Sequence, residues 1–217
     1  MGAQTSIASN LGASDCRTSD GAYFKLVRVT QSSAFAALIT LESPGLDTYL
    51  QLQTIAGEPI AIGNQNNSNS GSSLKAILPQ GSYVIIVGSR LPGASGQFSL
   101  GYSITNPSDG CNDTYIAPGF AIDQYMSNKY CSAKPAWVDR YRIHLVPGRS
   151  VTLRVDDRSY NGPVAELFDF AGKAVAFEEI QQYYTHTITF TAPADGFYTF
   201  QVTAADKELI EYLLTVK

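Results

Sequence analysis

The chain has 217 residues, a length that allows one large domain or two domains of about 100 residues each. Hydrophobic residues make up 44% of it, the share of an ordinary globular protein that can bury a core. Charged residues make up only 16%, below the usual ~25%, and Gly, Ser, Thr, Asn and Gln take their place. This pattern is typical of extracellular β-proteins.

The charge distribution excludes several classes of partner. The first 108 residues carry five acids and five bases, whereas residues 109–217 carry 14 acids and 10 bases, a net charge of −4. No basic cluster is present, so nucleic-acid binding is not predicted.

No apolar run approaches the roughly 20 residues that cross a membrane, and no transmembrane segment is predicted. The start, MGAQTSIASN, lacks a signal-peptide pattern. It would fit the mature N-terminus of an exported protein, with a native cytoplasmic start as the alternative.

The first half of the chain predicts a tail followed by strands. Residues 1–15 are polar and rich in small side chains, so we predict an N-terminal tail. Beyond them, apolar and polar residues alternate with period 2, which predicts strands near residues 23–30, 34–42, 48–54, 58–63, 73–78, 82–88 and 96–105. The sequence TIAGEPI predicts a hairpin turn in which Gly57 takes a positive φ.

The middle of the chain combines turn residues, aromatic residues and two cysteines. NPSDG ends the first set of strands, and residues 107–130 are predicted to form a linker or a pre-strand that packs on the second set of strands. If this part of the chain contains a helix, residues 120–127 are the stretch where the sequence opposes it least. We predict a disulfide between Cys111 and Cys131, which would close a loop of about 20 residues and leave Cys16 without a disulfide partner. The alternative is three reduced thiols, and the cysteine spacings fit no zinc site.

The second half repeats the first at a constant offset. Strands are predicted near residues 138–146, 150–156, 163–169, 173–178, 184–191, 196–204 and 209–216. ILPQGSYVIIV recurs 115 residues later as APADGFYTFQV. The matched pairs are Gly81/Gly196, Tyr83/Tyr198, Ile85/Phe200 and Val87/Val202, whose last three pairs should face inward. We therefore predict two modules, residues 16–106 and 131–217. Short, evenly spaced strands favour a β-sandwich for each module.

Residues 47–100 resemble the bacterial pre-peptidase C-terminal domain family. The shared features are an acidic residue before a Tyr-Leu strand, a glycine hairpin, an Asn-rich loop, a Leu-x-x-Gly-x-Tyr motif and a Gly-x-Phe-x-Leu strand. In this chain they are Asp47, Tyr49, Leu50, Gly57, residues 63–73, Leu78, Gly81, Tyr83, Gly96, Phe98 and Leu100. The second module keeps Gly172, Gly196 and Tyr198, but it has Gly162 in place of Asp47.

The resemblance implies an all-β protein of two tandem, jelly-roll-like antiparallel β-sandwich domains. It also implies attachment to secreted bacterial proteins, often proteases, in a non-catalytic role: targeting, adhesion or assistance during secretion. A secreted, extracellular or periplasmic bacterial location follows from the same resemblance.

No catalytic constellation is predicted. The two histidines are His144, expected to face solvent, and His186, expected at a sandwich edge; neither has a neighbouring nucleophile, and no nucleophile-elbow pattern occurs. We therefore predict that the protein is not an enzyme. The oxygen-rich loop of Asp156, Asp157 and Asn161 is a weak candidate for structural Ca²⁺. We favour the alternative of an acidic turn paired with Arg154 or Arg158, and we predict no other metal or cofactor.

Aromatic residues supply the candidate ligand contacts. The chain has 13 tyrosines, and the predicted ligand-binding residues are Tyr183, Tyr184, Trp137 and Tyr160. Adjacent strand residues point to opposite faces, so one of Tyr183 and Tyr184 should be exposed. The alternative is that these rings pack in the core.

Two functional hypotheses are compatible with these features. The first is a secreted, non-catalytic accessory or adhesion module whose partner is a polysaccharide, a protein or a cell-surface component. The alternative is a structural assembly or spacer unit of an envelope complex or extracellular filament, in which edge strands and the odd cysteine would promote oligomers.

Overall fold

The structure is a computed structural model that describes residues 4–65, 71–105, 113–127, 137–160, 162–177, 179–182, 184–204 and 209–217. Within these residues the regular secondary structure consists of strands, which confirms the all-β prediction. No helix among them is long and apolar enough to cross a membrane. The chain divides into two compact units, Met1–Ala76 with Gln80–Thr105, and Ile77–Pro79 with Asn106–Lys217.

The first unit contains ten strands among its described residues. They are β1 (Gln4–Leu11), β2 (Cys16–Arg17), β3 (Tyr23–Gln31), β4 (Phe35–Glu42), β5 (Thr48–Thr54), β6 (Pro59–Ile62), β7 (Asn64–Gln65), β8 (Gly71–Leu78), β9 (Gly81–Ser89) and β10 (Gly96–Thr105). One sheet has the order β1-β10-β4-β8, with β7 paired to β8, and the other has the order β2-β3-β9-β5-β6. Two sheets in this unit are consistent with the predicted sandwich.

The core of the first unit follows from the alternation along its strands. In β9, Tyr83, Ile85 and Val87 are buried, as predicted, while their neighbours point outward. Polar side chains join the two sheets, because Gln31 in β3 donates to the Tyr102 hydroxyl in β10 at 2.8 Å.

The second unit also contains ten strands among its described residues. They are β11 (Asp113–Ile116), β12 (Phe120–Met126), β13 (Trp137–Leu145), β14 (Ser150–Asp157), β15 (Val164–Phe168), β16 (Ala174–Phe177), β17 (Glu179–Gln182), β18 (Thr185–Thr191), β19 (Gly196–Ala204) and β20 (Ile210–Val216). Their sheets have the orders β11-β13-β19-β15-β16 and β12-β20-β14-β18-β17.

The strand orders of the two units correspond. The central strand β19 lies between β13 and β15, as β9 lies between β3 and β5, and its residues Tyr198, Phe200 and Val202 are buried. The hairpin turns that come after β5 and β15 both contain glycine at positive φ, 88° at Gly57 and 78° at Gly172. This agrees with the turn predicted at Gly57. In the second unit, β11 runs parallel to β13.

A buried polar cluster joins the two sheets of the second unit. Asp139 and Tyr141 point inward from β13, and Tyr212 points inward from β20. The Tyr212 hydroxyl donates to the Asp139 carboxylate at 2.5 Å, and the Tyr141 and Tyr212 hydroxyls are 2.5 Å apart. Buried polar groups require such partners, so the three side chains form one hydrogen-bonded unit.

Two segments differ from their sequence predictions. Residues 4–11, predicted as a tail, form β1, which pairs with all eight residues from Gly96 to Ser103 of β10. Its small polar side chains suit an edge strand, because pairing there uses backbone groups. Residues 120–126, where a helix was least excluded, form β12 and pair with β20. Phe120, Gln124 and Met126 are buried there.

Candidate functional site

The exposed aromatic pair Tyr160 and Tyr184 is the predicted binding feature that the structure brings together. The ring centroids lie 4.5 Å apart in an edge-to-face arrangement, with an angle of 89° between the planes. Tyr160 is 68% exposed and Tyr184 is 44% exposed. Edge-to-face contact is a favourable geometry for two rings, so the pair holds itself in place while both rings face solvent.

Asp157 at the end of β14 builds the turn that carries Tyr160. Its Oδ1 accepts hydrogen bonds from Ser159 N at 2.8 Å, from Ser159 Oγ at 2.7 Å and from Tyr160 N at 3.1 Å. Its Oδ2 accepts from Gly162 N at 2.9 Å. The backbone N–H of Asp157 also donates to the carbonyl of Tyr184 at 2.8 Å, which joins the two segments that carry the rings.

The backbone of Tyr160 is unusual. Its φ is 63°, in the left-handed region, where a tyrosine is uncommon. Such a conformation costs of order 1–3 kcal/mol, and residues that adopt it cluster at functional sites. Here the strained residue is one whose large aromatic side chain is exposed to solvent.

Trp137, predicted to contact a ligand, is a buried residue with 5% exposure. It shares the inward face of β13 with Asp139 and Tyr141, and the period of 2 along the strand places all three in the core. Tyr183 and Asn161 lie outside the described residues. So do Cys111 and Cys131, and their disulfide stays a prediction, while Cys16 is an exposed free thiol.

The predicted acidic loop is a hydrogen-bonded turn. Asp157 is buried, and each of its oxygens accepts a bond from within the turn. Arg154 donates from Nε and Nη2 to Asp156, at 2.9 Å and 2.7 Å to Oδ1, the ion pair favoured from the sequence. Calcium binding would have to compete with these partners, and the described residues contain no group of three or more acidic, His or Cys side chains able to hold a metal.

We expect Asp157→Ala to lower the free energy of unfolding of the second unit by about 1–3 kcal/mol, because the turn's N–H donors lose a buried charged acceptor. Urea unfolding followed by Trp137 fluorescence measures this, with Asp195→Ala, at an exposed carboxylate outside this turn, as a control. Millimolar Ca²⁺ or EDTA should leave the wild-type midpoint unchanged. A midpoint raised by Ca²⁺ and lost in Asp157→Ala would instead show a calcium site.

Neither histidine has the environment of an exposed general base. His144, expected to face solvent, is largely covered: its Nε2 lies 3.0 Å from Asp195 Oδ1, and its ring contacts Phe197 edge to face at 5.0 Å. His186, expected at a sandwich edge, is only 5% exposed in β18, which lies next to the outermost strand β17 of its sheet.

An aromatic groove in the first unit was not predicted. Phe24 in β3, Gly88 in β9 and Tyr49 in β5 lie opposite one another in a single cross-strand row on the outward face of the sheet. They line a cavity of about 450 Å³. The available signal was Gly88 within the strand YVIIVGS, because a glycine inside a strand often marks a place where another group approaches the backbone.

No protein-family model matches the chain, and no curated protein sequence is similar to it. Among solved structures, the pre-peptidase C-terminal domain of a collagenase from Bacillus anthracis is 18% identical, with a TM-score of 0.40 over 49% of this chain and 93% of that domain. A conserved protein of unknown function from Pseudomonas aeruginosa is 13% identical, with a TM-score of 0.23 over 97% of each chain.

A third solved structure, the BSP domain of a biofilm-associated protein, is 8% identical, with a TM-score of 0.26. The alignment covers 94% of this chain and 49% of that one. These three comparisons do not assign the chain to a family, and the resemblance to the pre-peptidase C-terminal domains stays a prediction.

Proposed function

We propose that the protein is a non-catalytic binding module that attaches to an extracellular polymer through Tyr160 and Tyr184. The observation that carries the proposal is the exposed edge-to-face pair of rings. The backbone of Tyr160 has a positive φ and is hydrogen-bonded to Asp157 in the turn. Exposed large aromatic groups are costly in water and are enriched where proteins bind partners. A rigid pair loses little conformational freedom on binding, so its surface is available for affinity.

The positions of the two histidines support a non-catalytic role, because both are occupied in packing or covered by other side chains. The low charge supports attachment to a neutral surface rather than to a charged polymer. Secretion from a bacterial cell is part of the same proposal and follows from the composition and the family resemblance.

The proposal is tested by co-sedimentation of the full chain with insoluble cellulose, chitin, peptidoglycan and collagen. We expect retention on at least one of them, and a loss of about tenfold or more in the Tyr160→Ala/Tyr184→Ala double variant, as for aromatic hot spots in other interfaces. Phe170→Ala is the matched control, because Phe170 is equally exposed (68%) in the turn after β15, while Tyr160 precedes that strand. No retention on any material, or equal retention of the double variant, would contradict the proposal.

A further inference from the structure

The groove around Gly88 in the first unit has the construction of a small binding site. Adjacent strands are about 4.8 Å apart, so Phe24 and Tyr49, two strands apart, stand about 10 Å from each other across Gly88. The absence of a side chain at Gly88 leaves a gap between the two aromatic residues. Ile86, two residues earlier on the same face, extends the apolar floor. We call this cavity the Gly88 groove.

The second unit shows that the fold does not require this groove. The position 115 residues after Gly88 is Thr203, which lies opposite Val138 in β13 and Val164 in β15. Three β-branched side chains therefore fill the row that Phe24, Gly88 and Tyr49 leave open in the first unit. Such residues are the usual choice for a strand surface, so the first unit departs from ordinary strand composition at this place.

Polar groups surround the aromatic walls. Gln51, which accepts a hydrogen bond from the Tyr49 hydroxyl, lies two residues along the same face and carries amide N–H donors. The Arg90 guanidinium lies over the Tyr49 ring, 5.5 Å from its centroid, and its Nε is 3.8 Å from Asp47 Oδ1. On the other side, Asp20 lines the cavity and accepts from Thr18.

The lining of the groove contains one acidic side chain, Asp20, and one basic side chain, Arg90, so it carries no net charge. This favours a neutral ligand, because an ion would gain no net attraction. Aromatic walls favour a flat, apolar surface, and the amide, guanidinium and carboxylate groups at the rim favour hydroxyl groups. A sugar ring combines these two properties, since its C–H faces are apolar and its edge carries hydroxyls.

We propose that the Gly88 groove binds one ring of a neutral saccharide. The ring lies between Phe24 and Tyr49, and its hydroxyls bond to Gln51, Arg90 and Asp20. This site belongs to the first unit and is separate from the Tyr160–Tyr184 pair, so it goes beyond the function proposed above. The two proposals are tested with different variants.

The test is isothermal titration calorimetry of the full chain with cellohexaose, chitohexaose, laminarihexaose, mannohexaose and maltohexaose, and with gelatin as a protein probe. We expect at least one oligosaccharide to bind. Tyr49→Val introduces the residue that the second unit has at this position, and it should weaken binding about tenfold or more. Gly88→Ala should also weaken it, because the added Cβ would lie 3.2 Å from Phe24 Cβ and narrow the groove.

Three outcomes would overturn the inference. The first is that no oligosaccharide binds, and the second is that Tyr49→Val binds as tightly as the wild type. The third is that gelatin binds through Tyr49 and the oligosaccharides do not, which would make the groove a peptide site. Gly88→Ala adds a Cβ 3.0 Å from a backbone oxygen, so circular dichroism must show that it folds, while Tyr49→Val introduces no such contact. Phe170→Ala, at an exposed ring outside both proposed sites, should bind the oligosaccharide as the wild type does.

Discussion

Replacing Asp139 with Ala is expected to lower the free energy of unfolding of the second unit by about 2–4 kcal/mol. Asp139 is 3% exposed and accepts hydrogen bonds from Tyr212 at 2.5 Å and Tyr141 at 3.4 Å. The substitution leaves two buried hydroxyl groups without their charged acceptor, and it opens a space between the sheets. Urea unfolding followed by tryptophan fluorescence measures the effect, because Trp137 is the chain's one tryptophan and lies two residues from Asp139.

The triple variant Asp139→Leu/Tyr141→Phe/Tyr212→Phe distinguishes the hydrogen-bonded cluster from simple loss of volume. It removes the donors together with the acceptor, so it should be more stable than Asp139→Ala. Asp195→Ala, at an exposed carboxylate of the same unit, should change stability by less than about 0.5 kcal/mol. If Asp139→Ala were as stable as Asp195→Ala, the cluster would not stabilise the fold.

The same cluster should make the second unit sensitive to alkaline pH. Burial, with a further contribution from the Asp139 carboxylate, raises the pKa of Tyr141 and of Tyr212 well above the ordinary tyrosine value. In the unfolded chain both would ionise near pH 10. Above that pH the folded state binds more protons than the unfolded state, so stability falls as pH rises, and the contribution is complete below pH 10. We expect a loss of about 2 kcal/mol between pH 10 and pH 11 from these two groups.

Urea midpoints at pH 9, 10 and 11, followed by the Trp137 signal, measure this loss. The Tyr141→Phe/Tyr212→Phe variant should show a smaller fall over the same range, because phenylalanine does not ionise. Tyr184→Phe serves as the matched control at an exposed ring. An equal fall in the double variant and the wild type would show that ionisation elsewhere causes the alkaline loss.

Strands with strong alternation could be predicted closely from the sequence. β9, β10 and β19 begin and end within about one residue of their predicted bounds, because apolar side chains at every second position can be buried only by a strand. β1 and β12 could not be predicted in this way. β1 carries small polar residues that pair through the backbone. In β12 the polar Gln124 is buried between Phe120 and Met126, so the apolar alternation is interrupted.

The candidate binding residues show a similar division. The exposure of Tyr160 and Tyr184 agrees with the predicted loop around residue 160 and with the expectation that one of Tyr183 and Tyr184 is exposed. The predicted strand began at residue 138, so the alternation that runs back from Tyr141 was not extended to Trp137, the first residue of β13. Phe24 and Tyr49 were not predicted to be binding residues, because each alone is an ordinary strand residue.

The sequence by itself determined the all-β class, most strand positions, the inward residues of β9 and β19 and the repeat at an offset of 115 residues. All of these depend on periods of two residues or on matches along the chain. Only the tertiary structure decided which side chains share a row across strands. Phe24, Gly88 and Tyr49 form a groove, and Asp139 meets Tyr212, because the register between distant strands places them together. That register results from the packing of the whole sandwich, and it cannot be read from the sequence pattern of any single strand.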